Sequence, residues 1–590
     1  MTEGQVIARR CDWRSVTLVL LLCTGSVLSH AAEKNGSVFM EVTDILQSNL
    51  PSRIELRPVG GGQSLAFNLK DGKGMQECPA GQYVAYVYAY DWDIPILVDV
   101  QRVTVDASSA ANINVEVVEG TRGQRTLRAF DQDFDLVLDR VEVAEKTDPG
   151  DPTDFPGAEP IPFESPVLSK DADWYKGDLH VRSVYGGGKE TVAELVNRAE
   201  KSDLDFLAIA DRNTLDSIYD DGFNSSKVAL IPAMEWGTDE RGVALIYGPR
   251  TFPQLTNNIR DDQGVCQRVQ AQGGIFAIAH PCFPSAPWQR GLSYVNAIEV
   301  WSRDWREVPP LALDKLMDEY QRRVDDKLVY SISRAAKSSD LSANGQAVMF
   351  WDYELVRGLK ASAIGGSQSS SPAVPMGKPI TYVYAKEKSV RGILEGIRRG
   401  RTFLSSGDDG PIIRFTADAG KDQFTDVAIG GIVPLGLKIE FQIQVSRAKG
   451  MKVELLRNGW PILTKNVETD KIEVLRLTDD PPSYSVYRVR VMAPGEGPGF
   501  GPLAIKAMTS PIYAQDIVPV DLRKDNPYDV WIKLESKTLP PVEVTERSEV
   551  DGKTRVRTTG GQPTMQNPNE GDIELPPGAE VKTIDAKPIR

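Results

Sequence analysis

The clearest alternation of apolar and polar positions lies between Trp174 and Asn213. WYKGDLHV reads as a buried strand that ends in polar residues. Three glycines follow, and then Val192, Leu195, Val196 and Ala199 repeat at i, i+3, i+4 and i+7, the spacing of one helix face. Thr191 and Glu194 stand at capping-box spacing at the start of that helix. Phe206 to Ala210 is a second apolar run, stopping at Asp211-Arg212-Asn213. The alternation continues to about Ser406. Further apolar runs end at Glu235, His280, Trp301 and Ser367, and the helical stretches PLALDKLMDEYQRR and SVRGILEGIRRG lie between or after them. Repeated βα units predict a parallel sheet or barrel, and a polar residue at each strand end favours a barrel with one mouth.

On either side the period changes to two. VFMEVTD, RIELRPV, QYVAYVYAY and ILVDVQRVTV, between Val38 and Glu119, are short alternating runs divided by turn residues, as a small sandwich requires. Pro79-Ala80-Gly81-Gln82-Tyr83 gives this segment a resemblance to prealbumin-like, carboxypeptidase-regulatory domains. After Pro411, KIEFQIQV, KVELLRNGWPIL and YSVYRVRVM alternate again, with Asn458-Gly459 as a hairpin turn. The expected organisation is multidomain. It comprises a signal peptide (1–31), an N-terminal β-sandwich (33–120), an acidic proline-rich linker (121–165), a central α/β barrel (166–410), a C-terminal β-sandwich (411–539) and a tail (540–590). The tail contains a candidate hairpin, VEVTERSEVDGKTRVR, turning at Asp551-Gly552, and from Gly560 its composition predicts disorder.

A length of 590 residues exceeds one hydrophobic core. Sixty-eight basic against 82 acidic side chains leave a net charge of −14, which argues against nucleic acid or an anionic membrane as the main partner. Arg9, Arg10 and Arg14 precede the apolar run Val16 to Cys23, and Ser29-His30-Ala31 offers small residues for cleavage, the pattern of a secretory signal. The run is shorter than the roughly 20 residues of a spanning helix. The expected location is therefore secreted, periplasmic or in the cell envelope, with no transmembrane segment after cleavage. Cleavage would leave Cys78, Cys266 and Cys282, enough for one bridge at most and no disulfide framework.

In FDQDFDLVLDRVEVAEKTDPGDPTDFPG, Asp131, Asp133, Asp135, Asp139 and Glu142 fall at positions 1, 3, 5, 9 and 12, where a Ca²⁺ loop places its oxygen ligands. The run resembles the acidic repeats of thrombospondin type 3 and related bacterial surface proteins. It departs from them at Leu136, where such a loop has glycine, and at the bulky Phe134. The competing reading is a solvated acidic linker stiffened by Pro149, Pro152 and Pro156.

GDLHVRS, AIADRNT, IPAMEWGTDERGVALIYG, IAHP, AIGGSQSS, MGKPITYVYA and GIRRGRTFLSSG occur in that order between Trp174 and Ser406. Together they resemble the PHP (polymerase and histidinol phosphatase) superfamily, in its CehA/McbA-like metallohydrolase branch. The resemblance implies a distorted β/α barrel holding two or three Zn²⁺, Mn²⁺ or Fe ions. Such ions activate a water against phosphoester, amide or carbamate bonds. His180, Asp211, Glu235 and His280 match ligand positions of that family. Arg182 and Arg212 stand where it has histidines, Gly242-Val243 where another is expected, and Gln368 and Ser370 at the closing Asp and His. Only three histidines exist in the chain, at 30, 180 and 280.

Guanidinium stays charged at any relevant pH, and two unit charges 4 Å apart repel by roughly 4 kcal/mol at an effective dielectric of 20. The inherited metal site is thus expected to be degenerate, with no catalytic residue assigned. The expectation is a binding or scaffold module for an anionic small molecule or polysaccharide. Arg182, Arg212 and Arg303 are the candidate anion-binding groups, and Trp301 and Trp305 offer stacking surface. Alternatives stay open. Asp211 and Glu235 could pair with Arg212 and Arg182 and close the mouth. A single Zn, Mn or Fe ion on His180, Glu235 and His280 would make a reduced hydrolase, and a purely structural envelope protein needs nothing from the mouth. Cys282 as a thiolate, Gly186-Gly187-Gly188 as an anion loop, and Ser367 to Ser371 as a flexible relic complete the candidates.

Overall fold

The computed structural model describes residues 35–516 apart from 92–93, 120–126, 164, 256–258, 291–294, 316–334, 336–341, 421–423 and 494–503. Beyond these it describes the strands Glu543–Val550, Lys553–Thr559 and Asp572–Leu575. The expected signal peptide lies outside the described residues, as does most of PLALDKLMDEYQRR, of which a short 3₁₀ turn, Leu313–Lys315, is described. Among the described residues no helix is long and apolar enough to cross a membrane.

The N-terminal region forms two small sheets. One runs Lys73–Pro79, Asn35–Asp44, Ala110–Val117, and the other Leu65–Leu69, Ser52–Pro58, Gly81–Asp91, Ile94–Val105. Alternate residues Tyr83, Ala85, Val87 and Ala89 turn inward onto Val38, Met40, Ile54 and Ile113. Lys73–Pro79 carries no readable alternation and buries Cys78 alone, while Leu65–Leu69 alternates at a sheet edge, turning Leu65, Phe67 and Leu69 to the core. Leu136, Val137, Leu138 and Val141 of the acidic stretch belong to the same core, so this stretch is folded against the sandwich rather than a bare linker.

Six strands of the central region run in one direction: Asp173–Val181, Phe206–Arg212, Ala229–Thr238, Ile275–Ile278, Ala297–Ser302 and Ser362–Gly366. Gly242–Tyr247 lies antiparallel between the third and fourth, and Ile380–Ala385 runs antiparallel beside the first. The helix Val192–Lys201 carries the expected capping box between Thr191 and Glu194, and Ser389 caps Val390–Arg398. These strands belong to one mixed sheet of 15 strands, which does not by itself confirm the expected β/α barrel. Its end strand does come back to the first: Ser367 N donates to Asp178 Oδ1 at 3.1 Å and Val181 bridges to Ser369.

The expected boundary at residue 410 is not a sheet boundary. Thr402–Ser405 pairs with Ile380–Ala385 on one side and with Ala504–Thr509 on the other, and the sheet continues through Ser485–Ala493, Lys452–Arg457 and Trp460–Asn466. A second sheet, made of Ile412–Asp418, Ile439–Ser446, Glu473–Asp479 and Val427–Ala428, covers this extension. One core cluster therefore holds Leu195, Leu207 and Ile209 together with Phe403, Phe415, Phe441 and Tyr487. Asn458 and Gly459, both at positive φ, make the expected two-residue hairpin turn. In the tail, Val550 pairs with Lys553 across Asp551-Gly552 as expected. The strand Asp572–Leu575 pairs with the second strand of this hairpin.

Arg488 ties the two regions together. It is 1% exposed, and its guanidinium donates to both oxygens of Asp352, at 2.7 and 2.6 Å, on the helix Ala343–Val356. Truncation strands a largely buried carboxylate, so Arg488→Ala should cost about 3 kcal/mol. A melting temperature unchanged from the parent's would show the pair to be idle.

Candidate functional site

The parallel register decides what the mouth contains. Glu235 lies directly opposite Arg212, and Met234 opposite Asp211. Neighbours in register share a face while consecutive residues alternate, so Arg212 stands on the side of Glu235 and Asp211 on the other. Asp211 is correspondingly spent elsewhere: Ser183 donates to it through its backbone N (2.7 Å) and its Oγ (2.6 Å). Asp211 therefore neither joins the histidines as a ligand nor pairs with Arg212, as two of the sequence readings had it. Burial raises its carboxyl pKa, and these Ser183 bonds oppose the shift.

Glu235 is the centre of the mouth and is fully buried. Arg182 Nη2 lies 2.5 Å from its Oε2, an ion pair whose angle falls outside hydrogen-bond geometry. Around Oε1 are Arg212 Nη1 at 3.5 Å, His280 Nε2 at 3.5 Å and His180 Nε2 at 3.8 Å. Burial opposes ionisation here, but His280, His180 and Arg182 outweigh it and hold the carboxyl well below the usual glutamate range. The two imidazoles are stacked with ring centres 5.9 Å apart, and His280 also stacks on Phe283 at 4.5 Å.

The sequence reading missed Glu299. Its Oε1 lies 2.9 Å from His180 Nδ1 and its Oε2 accepts from the backbone N of His280 at 3.1 Å, so one buried carboxylate sets both histidines. Asp178 was missed as well. It accepts from the backbone N–H groups of His180, Ser367 and Gly377 and pins the loop over the mouth. The signal was present in each case as an acidic residue inside an apolar run, AIEVW and GDLHV.

The other candidates fall away from the cluster. Arg303 donates to Gln368 Oε1 (2.7 Å) and pairs with Glu307 (3.1 Å), not with the other two arginines. Trp301 and Trp305 are 3% and 8% exposed and pack edge to face on each other, which leaves no stacking platform. Ser367 and Ser369 are fully buried, and Ser369 Oγ accepts from Arg198 (2.5 Å), so this loop is pinned rather than flexible. The amides of Gly186 and Gly188 turn inward to the carbonyl of Ser183, which removes them as an anion cradle. Cys78, Cys266 and Cys282 are buried and form no disulfide with one another, and burial pushes the Cys282 thiol far up, away from a reactive thiolate.

Do these residues fit a divalent ion? His180 Nε2 and both Glu235 oxygens are buried without hydrogen bonds, which an ion could use. However, the same carboxylate already faces two guanidinium groups, Asp211 is consumed by Ser183, and the two histidine nitrogens around Glu235 Oε1 do not complete a set of three ligand atoms within 4.8 Å of one another. Among the described residues, only Asp131, Asp133 and Asp135 bring three ligand atoms within 4.8 Å of one another. The ion set that the sequence resemblance implies does not fit this mouth.

No family model and no curated protein matches the sequence. Solved structures give similarities at low identity. A two-domain protein from Bacteroides vulgatus containing a predicted PHP-like metal-dependent phosphoesterase is 14% identical over 57% of this chain and 98% of its own, with a TM-score of 0.29. A protein from Bifidobacterium adolescentis assigned as a metal-dependent phosphoesterase is 13% identical over 34% of this chain and 90% of its own, with a TM-score of 0.20. A CARDB domain from Pyrococcus furiosus matches 18% of this chain at 12% identity, with a TM-score of 0.11. Overlaps this loose carry no argument about chemistry.

Arg182→Ala should destabilise the protein by about 2 kcal/mol, less than a fully buried pair because Arg182 is 28% exposed. Glu235→Gln in the same chain should recover part of that loss, a coupling of about 1 kcal/mol or more in a double-mutant cycle; strictly additive losses would mean the two do not interact. The acid limb gives a second readout. Because the folded Glu235 carboxyl titrates below its ordinary 4.5, its contribution is complete above that pH and is lost as pH falls towards the folded value. Glu235→Gln should flatten that limb of the stability profile.

Proposed function

We propose that the central domain is a non-hydrolytic relative of the metal-dependent hydrolases it resembles, and that it serves as a binding or scaffold module for an anionic or carbohydrate ligand. The observation that carries this reading is the replacement of an ion by fixed charge at Glu235, with Arg182 at 2.5 Å and Arg212 at 3.5 Å. A guanidinium neutralises the carboxylate but offers no open coordination position and cannot acidify a bound water.

Binding capacity remains in the groups the ion pairs leave over. Arg182 Nε and His280 Nδ1 are buried without partners, and the arginine side chains are each 28% exposed. Arg212 is shared with the exposed Asp239 (2.7 Å), a partner that a ligand anion can replace at small cost. Tyr185 and Tyr219 are exposed on the loops after the first two mouth strands, and Tyr185 Oη donates to Asp220. Two exposed tyrosines on loops that follow the strands at whose ends Arg182 and Arg212 stand suit an acidic sugar. A secreted or cell-envelope location agrees with such a ligand.

One observation favours the one-ion hydrolase as a second reading: Glu299 orients His180 through Nδ1, as partners of metal-bound histidines do. Elemental analysis of the purified protein separates the two. Zinc, manganese and iron together should come to well below one ion per chain, and stoichiometric content of any of them would overturn the non-hydrolytic reading. In calorimetry, a uronate oligosaccharide should bind the parent and lose binding in Arg182→Gln/Arg212→Gln. Equal binding by a folded double variant would remove the arginines from the ligand site.

A further inference from the structure

Among the described residues, a second set of orphaned charges lies outside the mouth. Asp131 Oδ1, Asp133 Oδ2, Asp135 Oδ2 and both oxygens of Glu142 are buried with no hydrogen-bond partner. The three aspartates converge within 4.8 Å. Glu142 is a separate witness. It sits in the first turn of the helix Asp139–Glu145 that closes the loop, is 0% exposed, and leaves both carboxylate oxygens buried without a donor.

The remaining oxygens of the trio are held from inside the loop. Leu136 N donates to Asp131 Oδ2 (2.9 Å), Asp135 N to Asp133 Oδ1 (3.1 Å) and Val137 N to Asp135 Oδ1 (2.8 Å). Each aspartate thus keeps one oxygen bound and one oxygen free. Leu136, at the place that such loops give to glycine, adopts φ 76°, so the sharp turn is made despite the side chain.

We propose that residues 131–142 form a Ca²⁺ site that fastens the N-terminal sandwich to the central domain. Five free carboxylate oxygens at positions 1, 3, 5 and 12, two of them on one glutamate, match the large, oxygen-rich and partly bidentate shell of Ca²⁺. Mg²⁺ demands a tighter octahedron and keeps its waters. Left without a cation, the group is costly. Five buried carboxylate oxygens then have no donor to satisfy them. Arg268 donates to the carbonyl of Asp135 rather than to a carboxylate of the cluster.

The loop's place in the fold gives the ion its role. On one side Leu97 of the sandwich exchanges backbone bonds with Leu136 (2.8 Å) and Leu138 (3.2 Å), and Arg140 donates to the carbonyl of Val98. On the other side the Arg268 bond (2.8 Å) comes from the helix Ile259–Ala271 of the central region. A cation that orders this loop therefore orders both faces of the seam.

The full chain, stripped with EGTA, should take up one Ca²⁺ in a calorimetric titration, and its melting temperature should rise with Ca²⁺ concentration. Amide exchange at Leu97, Leu136 and Leu138 should slow on Ca²⁺ addition. Glu142→Gln, nearly isosteric, should weaken binding by about tenfold or more. No heat and no melting shift in the parent at millimolar Ca²⁺ would overturn the proposal. Undiminished binding in Glu142→Gln would place the ion elsewhere and overturn it too, and Mg²⁺ binding as tightly as Ca²⁺ would refute the choice of ion. None of these outcomes bears on the zinc, manganese and iron content of the mouth, so the two proposals fail separately.

Discussion

A carboxylate buried away from water must be neutralised, and the way Glu235 is neutralised governs the central mouth. A divalent ion and a guanidinium both supply positive charge, but they differ in what they leave available. An ion keeps sites for water and substrate and draws electron density from them. Arginine satisfies the carboxylate, is tethered to the chain and holds its protons at every relevant pH. With Arg182 and Arg212 on the same carboxylate, the positive charge of the mouth has become part of the polypeptide.

The histidines follow from that centre. His180 and His280 both aim Nε2 at Glu235 and are both set from behind by Glu299. This is the kind of frame that orients metal ligands, here built around a carboxylate that faces two arginines. Retained orientation is weak testimony for retained chemistry, since a buried imidazole needs hydrogen bonds whether or not it binds an ion.

Much of this could be read from the residues in line. The capping box at Thr191 and Glu194, the strand ends at one mouth, the Asn458-Gly459 turn and the oxygen spacing of the acidic loop are all local patterns. Long-range partners were not legible. That Asp211 serves Ser183 and that Glu235 meets Arg212 depends on strand register, although alternation alone already forbids Asp211 and Arg212 from sharing a face. Glu299 was overlooked because it sits in an otherwise apolar strand with no motif around it. The fused sheet was hidden because Thr402–Ser405 is only four residues long and looks the same whether it ends one unit or joins two.

The two junctions of the chain differ in kind. The sandwich at the start has a core of its own and meets its neighbour across the acidic loop. The units on either side of residue 410 share a sheet and a core. Across generations, then, the first sandwich is a part that lineages can gain, lose or exchange by recombination, while the last unit is bound to the mouth's own wall. Gene shuffling would have to carry everything from the His180 strand to the Ile512 strand as a single heritable block.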